Sequence, residues 1–377
     1  MGTGVARADN GGTIGHSTDR GADSPRLDEG LRERSVATIY DVAREAGVSP
    51  ATVSRVFNGG RVTAERAATV RAAAAVLGFA PNRVARSLRM QRASVIGLII
   101  PDIGNPFFTA LARGVEDAAQ ETNLSVVLCN TDEDVGKEQR YLEVAAAEQM
   151  AGVIVAAASR HRTDLSALVD RGTPVVAVDR RPRGASVDAV MMDNRHGGEE
   201  ATEHLLARGY RRVACIAGPE GASTSDERLA GYRAVLRDHL GDTGQPIEPP
   251  PEYVVHGDFR VDGGRAAMER LLALPEPPDA VFVANNLMTV GALAALREAG
   301  HEPPGTGLLS FGDVPWPELV TPSLSSVQLP SYELGFAAAQ LLQERIAGTA
   351  KPLQTVVLRT SLQVRESTSG PAANRGG

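Results

Sequence analysis

Cysteine is almost absent from this 377-residue chain: Cys129 and Cys215 are the two that occur, too few for a disulfide framework. Each sits in a short apolar run, so both are expected as buried strand residues of a protein from a reducing compartment. Long hydrophobic runs are missing as well, and none approaches the ~18 residues that span a bilayer. The first 36 residues are rich in Gly, Asp, Arg and Ser and carry no apolar segment of the secretory type. A cytoplasmic protein with no membrane partner is therefore expected. The patterns that carry enzymatic chemistry are missing too. There is no Walker-type phosphate loop, no dinucleotide glycine pattern and no Gly-x-Ser-x-Gly elbow. His161, His196 and His204 lack metal-ligand spacing, and Glu199 and Glu200 occupy adjacent helix positions that do not converge. No catalytic residue, metal or cofactor is expected. Tryptophan is nearly absent: Trp316 is the single one.

What is present is an uneven charge distribution. The formal net charge is −7. Between residues 37 and 92 stand nine arginines (44, 55, 61, 66, 71, 83, 86, 89 and 92) against Asp41, Glu45 and Glu65, a balance of 9 − 3 = +6. The remainder then carries −7 − 6 = −13. A basic head on an acidic body suits a chain that meets phosphate at one end. A solvated basic face without a partner is the competing reading of charge alone.

The pattern along the chain divides it. Residues 1–36 bury too little apolar surface to offset ordering entropy and are expected to be disordered, as is the tail 367–377. Residues 37–81 read as three short helices. From residue 94 to 366, apolar strand runs at 95–100, 124–128, 153–157, 175–178, 213–217, 280–284 and 308–311 alternate with amphipathic stretches. The latter fall at 108–121, 135–149, 197–208, 228–240, 263–274 and 288–299. That alternation predicts an α/β core of parallel sheets flanked by helices. Its length of roughly 270 residues favours two lobes with a cleft between them. Ligands in such folds sit beyond the carboxyl ends of strands.

Within the head, Thr38 is placed to cap a helix over 39–45, with Val42 and Ala43 inward. Gly47 supplies the left-handed backbone of a tight turn. Ser49 caps the next helix, and Pro50 falls at its first turn, where a missing N–H costs nothing. Val53 and Val56 point to the core, leaving Pro50, Ala51, Thr52, Ser54 and Arg55 for the outer face. Small groups, hydroxyls and one arginine suit a helix lying in the major groove, where arginine bonds guanine bidentately. A third helix spans 63–77, burying Val70, Ala74 and Leu77. An ordinary three-helix bundle is the alternative.

The run Thr38-Ile39-Tyr40-Asp41-Val42-Ala43-Arg44-Glu45-Ala46-Gly47-Val48-Ser49-Pro50-Ala51-Thr52-Val53-Ser54-Arg55-Val56-Phe57-Asn58 resembles the DNA-binding signature of the lactose-repressor (LacI/GalR) family. The likeness continues through Gly78-Phe79-Ala80-Pro81-Asn82-Arg83-Val84-Ala85-Arg86-Ser87-Leu88 and, more loosely, to about Glu366. The resemblance implies a transcriptional repressor, active as a homodimer on palindromic operator DNA. Its all-α helix-turn-helix head (37–81) and hinge helix and linker (82–93) would precede a periplasmic-binding-protein-like core that binds a small effector. It implies base contacts from Pro50, Ala51 and Arg55, and phosphate contacts from Thr38, Ser49, Thr52, Ser54, Asn58 and Thr63. Asn82, Arg83, Ala85, Arg86 and Leu88 would serve in the hinge, with Leu88 as a minor-groove wedge. A core leucine of a short helix is the competing role for Leu88. Arg66-Ala67 departs from a usual hydroxyl-arginine pair in the third helix.

In the core the resemblance assigns effector contacts to Asp102, Phe107, Phe108, Asp179, Arg228, Asn285 and Asn286. Arginine suits bidentate capture of vicinal hydroxyls or a carboxylate. Phe107 and Phe108 have lobe packing as their alternative role, Asp179 and Arg228 structural ion pairing, and Trp316 either stacking in the cleft or packing. Three positions depart from the family. Asn286 replaces a usual aspartate, Gly312 precedes Asp313 where an aspartate is common, and Leu329 replaces a polar contact. They predict a pocket short of carboxylates. The effector is then a sugar by resemblance alone, with less hydroxylated, anionic or absent effectors and a protein co-regulator as alternatives. A solute-binding protein would share the core but would bring a secretory signal and no basic head.

Overall fold

The computed structural model describes residues 37–57, 61–79, 94–238, 249–314, 320–349 and 351–371. The expected disorder of 1–36, the hinge candidates Asn82, Arg83, Ala85, Arg86 and Leu88, Asn58 and Trp316 lie outside the described residues. The head and the core are separate compact units.

In the head, helices α1 (Ile39–Glu45), α2 (Pro50–Phe57) and α3 (Ala64–Val76) enclose Val42, Ala43, Val53, Val70, Ala73 and Ala74. Thr38 and Asp41 form a reciprocal capping box at the start of α1. Gly47, at φ +62°, ends it in a Schellman-type closure, with the Val48 N–H donating to Ala43 O at 3.0 Å. Ser49 Oγ accepts from the Thr52 N–H at 3.2 Å, so α2 starts where the sequence places it. Val56 and Leu77 pack at the rim of the cluster, half-buried.

The core holds two six-stranded sheets. The first has strand order β11-β5-β4-β3-β1-β2, comprising β1 (Val95–Ile100), β2 (Ser125–Asn130), β3 (Gly152–Val155), β4 (Val175–Val178), β5 (Asp188–Met192) and β11 (Thr355–Leu358). The second has order β12-β10-β9-β8-β6-β7. Its strands are β6 (Val213–Ala217), β7 (Val254–His256), β8 (Ala280–Val283), β9 (Gly307–Phe311), β10 (Ser325–Gln328) and β12 (Ser361–Gln363). Around the first sheet lie α4 (Pro106–Glu121), α5 (Val135–Ala147), the short α6 (Ser166–Val169) and α11 (Ser331–Ile346). Around the second lie α7 (Asn194–Ala207), α8 (Ser223–Asp238), α9 (Val261–Leu272) and α10 (Asn286–Glu298). The backbone crosses between sheets after β5, β10 and β11. Ile96, Leu98, Ile99 and Ile100 of β1 are all buried, each stabilising by about 1.5–3 kcal/mol.

The sheets are parallel as expected, save at one edge, where β12 runs antiparallel to β10. Three expectations need correction. Cys215 is buried but Cys129 is only half-buried, because β2 is an edge strand that leaves Val127 and Leu128 exposed on its two faces. The core does not stop at Glu366. Ser367 and Thr368 are fully buried: Ser367 Oγ donates to Leu308 O at 2.7 Å, and Thr368 Oγ1 lies 2.6 Å from Ser325 Oγ. Only 372–377 of the expected disordered tail fall outside the described residues. Finally, β5, β7, β10, β11, β12 and α11 add to the predicted elements. β5 opens on Asp188, whose buried carboxylate receives Arg345 of α11 bidentately, at 2.6 Å from Nε and 2.9 Å from Nη2.

Candidate functional site

The exposed surface of α2 carries Pro50, Ala51 and Arg55, while Val53 is buried beneath them. Arg55 forms no ion pair among the described residues. Thr52 and Ser54 are half-buried, and the Ser49 and Thr52 hydroxyls lie 3.0 Å apart. Thr38 spends its hydroxyl on Asp41 at 2.6 Å. Thr63 caps α3 by backbone conformation alone, which leaves its exposed side chain uncommitted to the cap.

In the core, the carboxyl ends of strands from both sheets converge on a cleft with an atom-free space of about 530 Å³, mouth included. It is lined by all seven predicted contacts: Asp102, Phe107, Phe108, Asp179, Arg228, Asn285 and Asn286. Asn105 caps α4 by accepting the Phe107 N–H at 3.0 Å, which sets the two phenylalanines on the first turn. Their rings meet edge-on with centroids 4.8 Å apart. Phe108 belongs to the lobe core, and Phe107 is half-buried against it. Both rings therefore pack in the lobe, and both also line the cleft.

Asp179 follows β4 at φ +60° and is 3% exposed. A non-glycine residue in that region costs on the order of 1 kcal/mol or more and tends to mark functional sites. Glu133 and Phe259, also in the cleft wall, share the left-handed conformation at φ +63° and +64°. The Arg180 guanidinium is held by Glu133 through two bonds of 2.6 and 3.0 Å and lies 5.3 Å from the Phe259 ring centroid. Two polar atoms here are buried without a hydrogen-bond partner: Asp179 Oδ1 and Arg180 Nε. Arg228 is 6% exposed and stacks on Phe311 at 3.9 Å. Its Nε donates to Asn194 Oδ1 at 2.9 Å and its Nη1 to Ala284 O at 2.7 Å. Its backbone is seated closely, since a Cβ on Gly198 of α7 would stand 2.4 Å from Arg228 O.

Burial sets the electrostatics. It raises the Asp179 carboxyl above its ordinary range, against the pull of Arg180 and Arg228. Burial also draws Arg228 down to about 10, partly offset by Asp179. Arg180 is penalised by burial too, yet Glu133 holds it above its usual value. At the mouth, Asp102 pairs across the lobes with Arg260 at 3.7 Å, and Asn286 Nδ2 reaches Asn105 Oδ1 at 3.1 Å.

Two family models match the chain. One, described as bacterial regulatory proteins of the lacI family, covers residues 38–82. The other, periplasmic binding proteins and sugar binding domain of LacI family, covers residues 93–363. The chain belongs to the LacI family. Among its LacI-family relatives is the ribose operon repressor of Escherichia coli (strain K12), 36% identical over 335 residues, which are 88% of this chain and 100% of that protein. The lac repressor dimer bound to operator and the anti-inducer ONPF superimposes with a TM-score of 0.78 at 25% identity, over 89% of this chain and 99% of that one. A LacI family transcriptional regulator from Enterococcus faecium with bound ribose gives 0.64 at 28% identity, over 74% and 100%. Two of these are repressors by name and the third is a transcriptional regulator. No helix among the described residues is long and apolar enough to cross a membrane.

Against the sequence reading, this LacI-family cleft is not short of carboxylates. Asp102, Glu133, Asp179 and Asp258 line it, beside Arg180, Arg228 and Arg260. The family departures at Gly312, Asn286 and Leu329 were the wrong places to count, because the acids enter from the ends of β1, β2, β4 and β7. Asp313 does not substitute for a cleft aspartate. It turns to Gln328 at 3.3 Å, Arg365 at 3.3 Å and Ser326. Asn285 caps α10 through Met288 N at 2.8 Å and ties Phe259 O at 3.0 Å, so most of its amide serves the fold. The residues that sequence reasoning missed include Asn105, Arg180 and Phe259. Arg180 had a signal, since it directly follows Asp179 at a strand end. Phe259 had almost none, because β7 has only three residues.

Proposed function

We propose that this LacI-family repressor binds a palindromic operator as a homodimer. Its DNA affinity would be set by a sugar-like effector in the inter-lobe cleft. The observation that carries the DNA-binding part is α2: an eight-residue helix, capped at Ser49, that buries Val53 and exposes Pro50, Ala51 and Arg55. Arg55 would read a guanine edge, and the hydroxyls of Ser49, Thr52, Ser54 and Thr63, with Asn58, would hold phosphates, while Thr38 would have to release Asp41 to do the same. One such helix reads few base pairs, so two heads on a two-fold site supply useful specificity. The head would extend over 37–81 and the hinge over 82–93, with Asn82, Arg83, Ala85, Arg86 and Leu88 acting in the minor groove.

The effector part is supported by Asp179 Oδ1, buried without a hydrogen-bond partner, beside Arg180 Nε, which makes no hydrogen bond and stands 3.5 Å from Asp179 Oδ2, in a cleft rimmed by aromatic rings. The ribose bound by the Enterococcus faecium regulator favours a carbohydrate here. Selection of binding sites from a random duplex pool tests the proposal. The protein should recover a palindrome, and Arg55→Ala should lose about 1–3 kcal/mol of discrimination against mutated half-sites while keeping its circular dichroism spectrum. Equal affinity of the unaltered protein for recovered and random duplexes would overturn it.

A further inference from the structure

The core holds a second hollow beside the cleft. Its atom-free space is about 1020 Å³, mouth included, and both lobes build it. The first lobe brings Arg160 from the loop after β3, Arg181 and Arg183 from the loop after β4, and Leu353 from just before β11. The second brings Ser223 and Glu227, one turn apart on α8. Thr224 and Arg228, the next residue in each case, line the effector cleft, so neighbouring faces of α8 look onto the two hollows. Arg180 and Arg181 are divided between them in the same way. Asn194 joins the two sides: its Nδ2 donates to Glu227 Oε2 at 3.2 Å, and its Oδ1 accepts from Arg228 Nε at 2.9 Å.

The charge in this second hollow is unbalanced. Three arginines line it against one carboxylate, 3 − 1 = +2. Arg181 is half-buried, yet its bonds go to neutral acceptors: Nη1 to Thr355 Oγ1 at 3.2 Å, and Nη2 to Ala185 O at 3.2 Å and Val187 O at 3.3 Å. A guanidinium drawn out of water is ordinarily paired with an acid, and Arg181 has none among the described residues. Arg160 and Arg183 are exposed, and neither side chain makes a hydrogen bond or ion pair among the described residues. The Arg183 N–H donates to Arg160 O at 2.7 Å, which sets these two residues side by side. Burial raises the Glu227 carboxyl, against the pull of Asn194, Arg228 and Arg160. Asn194 takes one oxygen of that carboxyl and leaves the other for a ligand.

We infer that this hollow is a second ligand site, separate from the effector cleft, which takes the phosphomonoester of a small polyhydroxy compound. Such a phosphate carries about −1.5 to −2 charge at pH 7, which matches the local surplus, and its oxygens suit arginine forks. Arg160 and Arg183 bind the phosphate, Arg181 adds a fixed positive charge, and Glu227 accepts a hydroxyl, with Leu353 beside the carbon frame. Because both lobes contribute, an occupant bridges them and, through Asn194, bears on Arg228 in the effector cleft.

Isothermal titration of the full-length protein with D-ribose 5-phosphate, D-glucose 6-phosphate and inorganic phosphate tests this. At least one ester should bind more tightly than inorganic phosphate. Arg160→Ala and Arg183→Ala should each weaken that ester by about tenfold or more. Arg260→Ala removes a cation from the mouth of the effector cleft instead, and should leave ester affinity within about twofold. Arg160 and Arg183 are exposed, so both variants should keep the parent melting temperature, which a thermal melt checks. Ester affinity unchanged in folded Arg160→Ala and Arg183→Ala would place the anion in the basic head or the effector cleft and overturn the inference. An equal loss in Arg260→Ala overturns it, as does inorganic phosphate binding as tightly as both esters. Absence of binding by either ester overturns it too. None of these results touches the operator selection or the effector reading of the cleft, so the two proposals fail separately.

Discussion

Gly198 offers a way to disturb the effector wall without touching a residue that lines it. In Gly198→Ala, the new Cβ would stand 2.4 Å from Arg228 O, where contacts below 3.4 Å are already tight. Backbone is met here, so no side chain can swing aside, and α8 must retreat from α7 by about 1 Å. Asn194 is on α7 and Arg228 on α8, so their 2.9 Å hydrogen bond stretches past the 3.5 Å limit. A lost bond to a charged group costs about 1.5–3 kcal/mol, and the overpacking itself about 1–3 kcal/mol. A core of this size moves by about 2–4 °C in Tm per kcal/mol, so a fall of roughly 5–20 °C is expected by circular dichroism. Gly231→Ala meets Arg195 O at 2.3 Å across the same helix pair and should behave alike. Because one retreat relieves both contacts, the double variant should lose less than the two single losses together. A Tm within a degree or so of the parent protein, or strict additivity of the pair, would refute the reasoning.

Removing Arg345 leaves the buried Asp188 carboxylate without its bidentate partner; Arg345→Met should cost about 3–5 kcal/mol in urea unfolding, far above a surface-pair effect. Asp179→Asn should work the other way on the ligand-free core. Burial raises the Asp179 pKa above its unfolded value, so this group favours the folded state fully at low pH and that contribution is lost as pH rises through its folded pKa. The variant should therefore be more stable than the parent at neutral pH and indistinguishable from it in acid, while losing sugar binding. Melts from acid to neutral pH in both proteins check the sign, and a gap that widens toward acid would contradict it.

The skeleton of this fold was legible wherever a run was apolar and long enough. β1, β4 and β6 begin and end on the predicted residues. The additions were short or carried polar residues whose partners lie far along the chain. β10 reads Ser-Ser-Val-Gln, yet Ser325 and Ser326 are buried because Ser367, Thr368, Arg365 and Asp313 satisfy them. Those bonds span some 13 to 43 residues, which no local pattern reports. The same holds for the candidate site. Asp179 and Arg228 were singled out as residues after a strand and on a helix, and both line the cleft. The charge inventory failed because Glu133 and Asp258 sit on loops whose geometry depends on left-handed residues, Glu133 itself and Phe259.

The order of the last two strands has a bearing on biosynthesis. β11 completes one sheet and β12, three residues later in the chain, completes the other. The first sheet cannot close its final edge until translation has passed residue 358, nor the second until it has passed 363, however early their first strands emerge. From its synthesis until β11 emerges, β5 thus presents an open hydrogen-bonding rim, as β10 does more briefly until β12 follows, the kind of surface that pairs with foreign chains. A ribosome that stalls shortly before that point would release two defective halves at once, so premature termination here should yield aggregates and no partially active fragment.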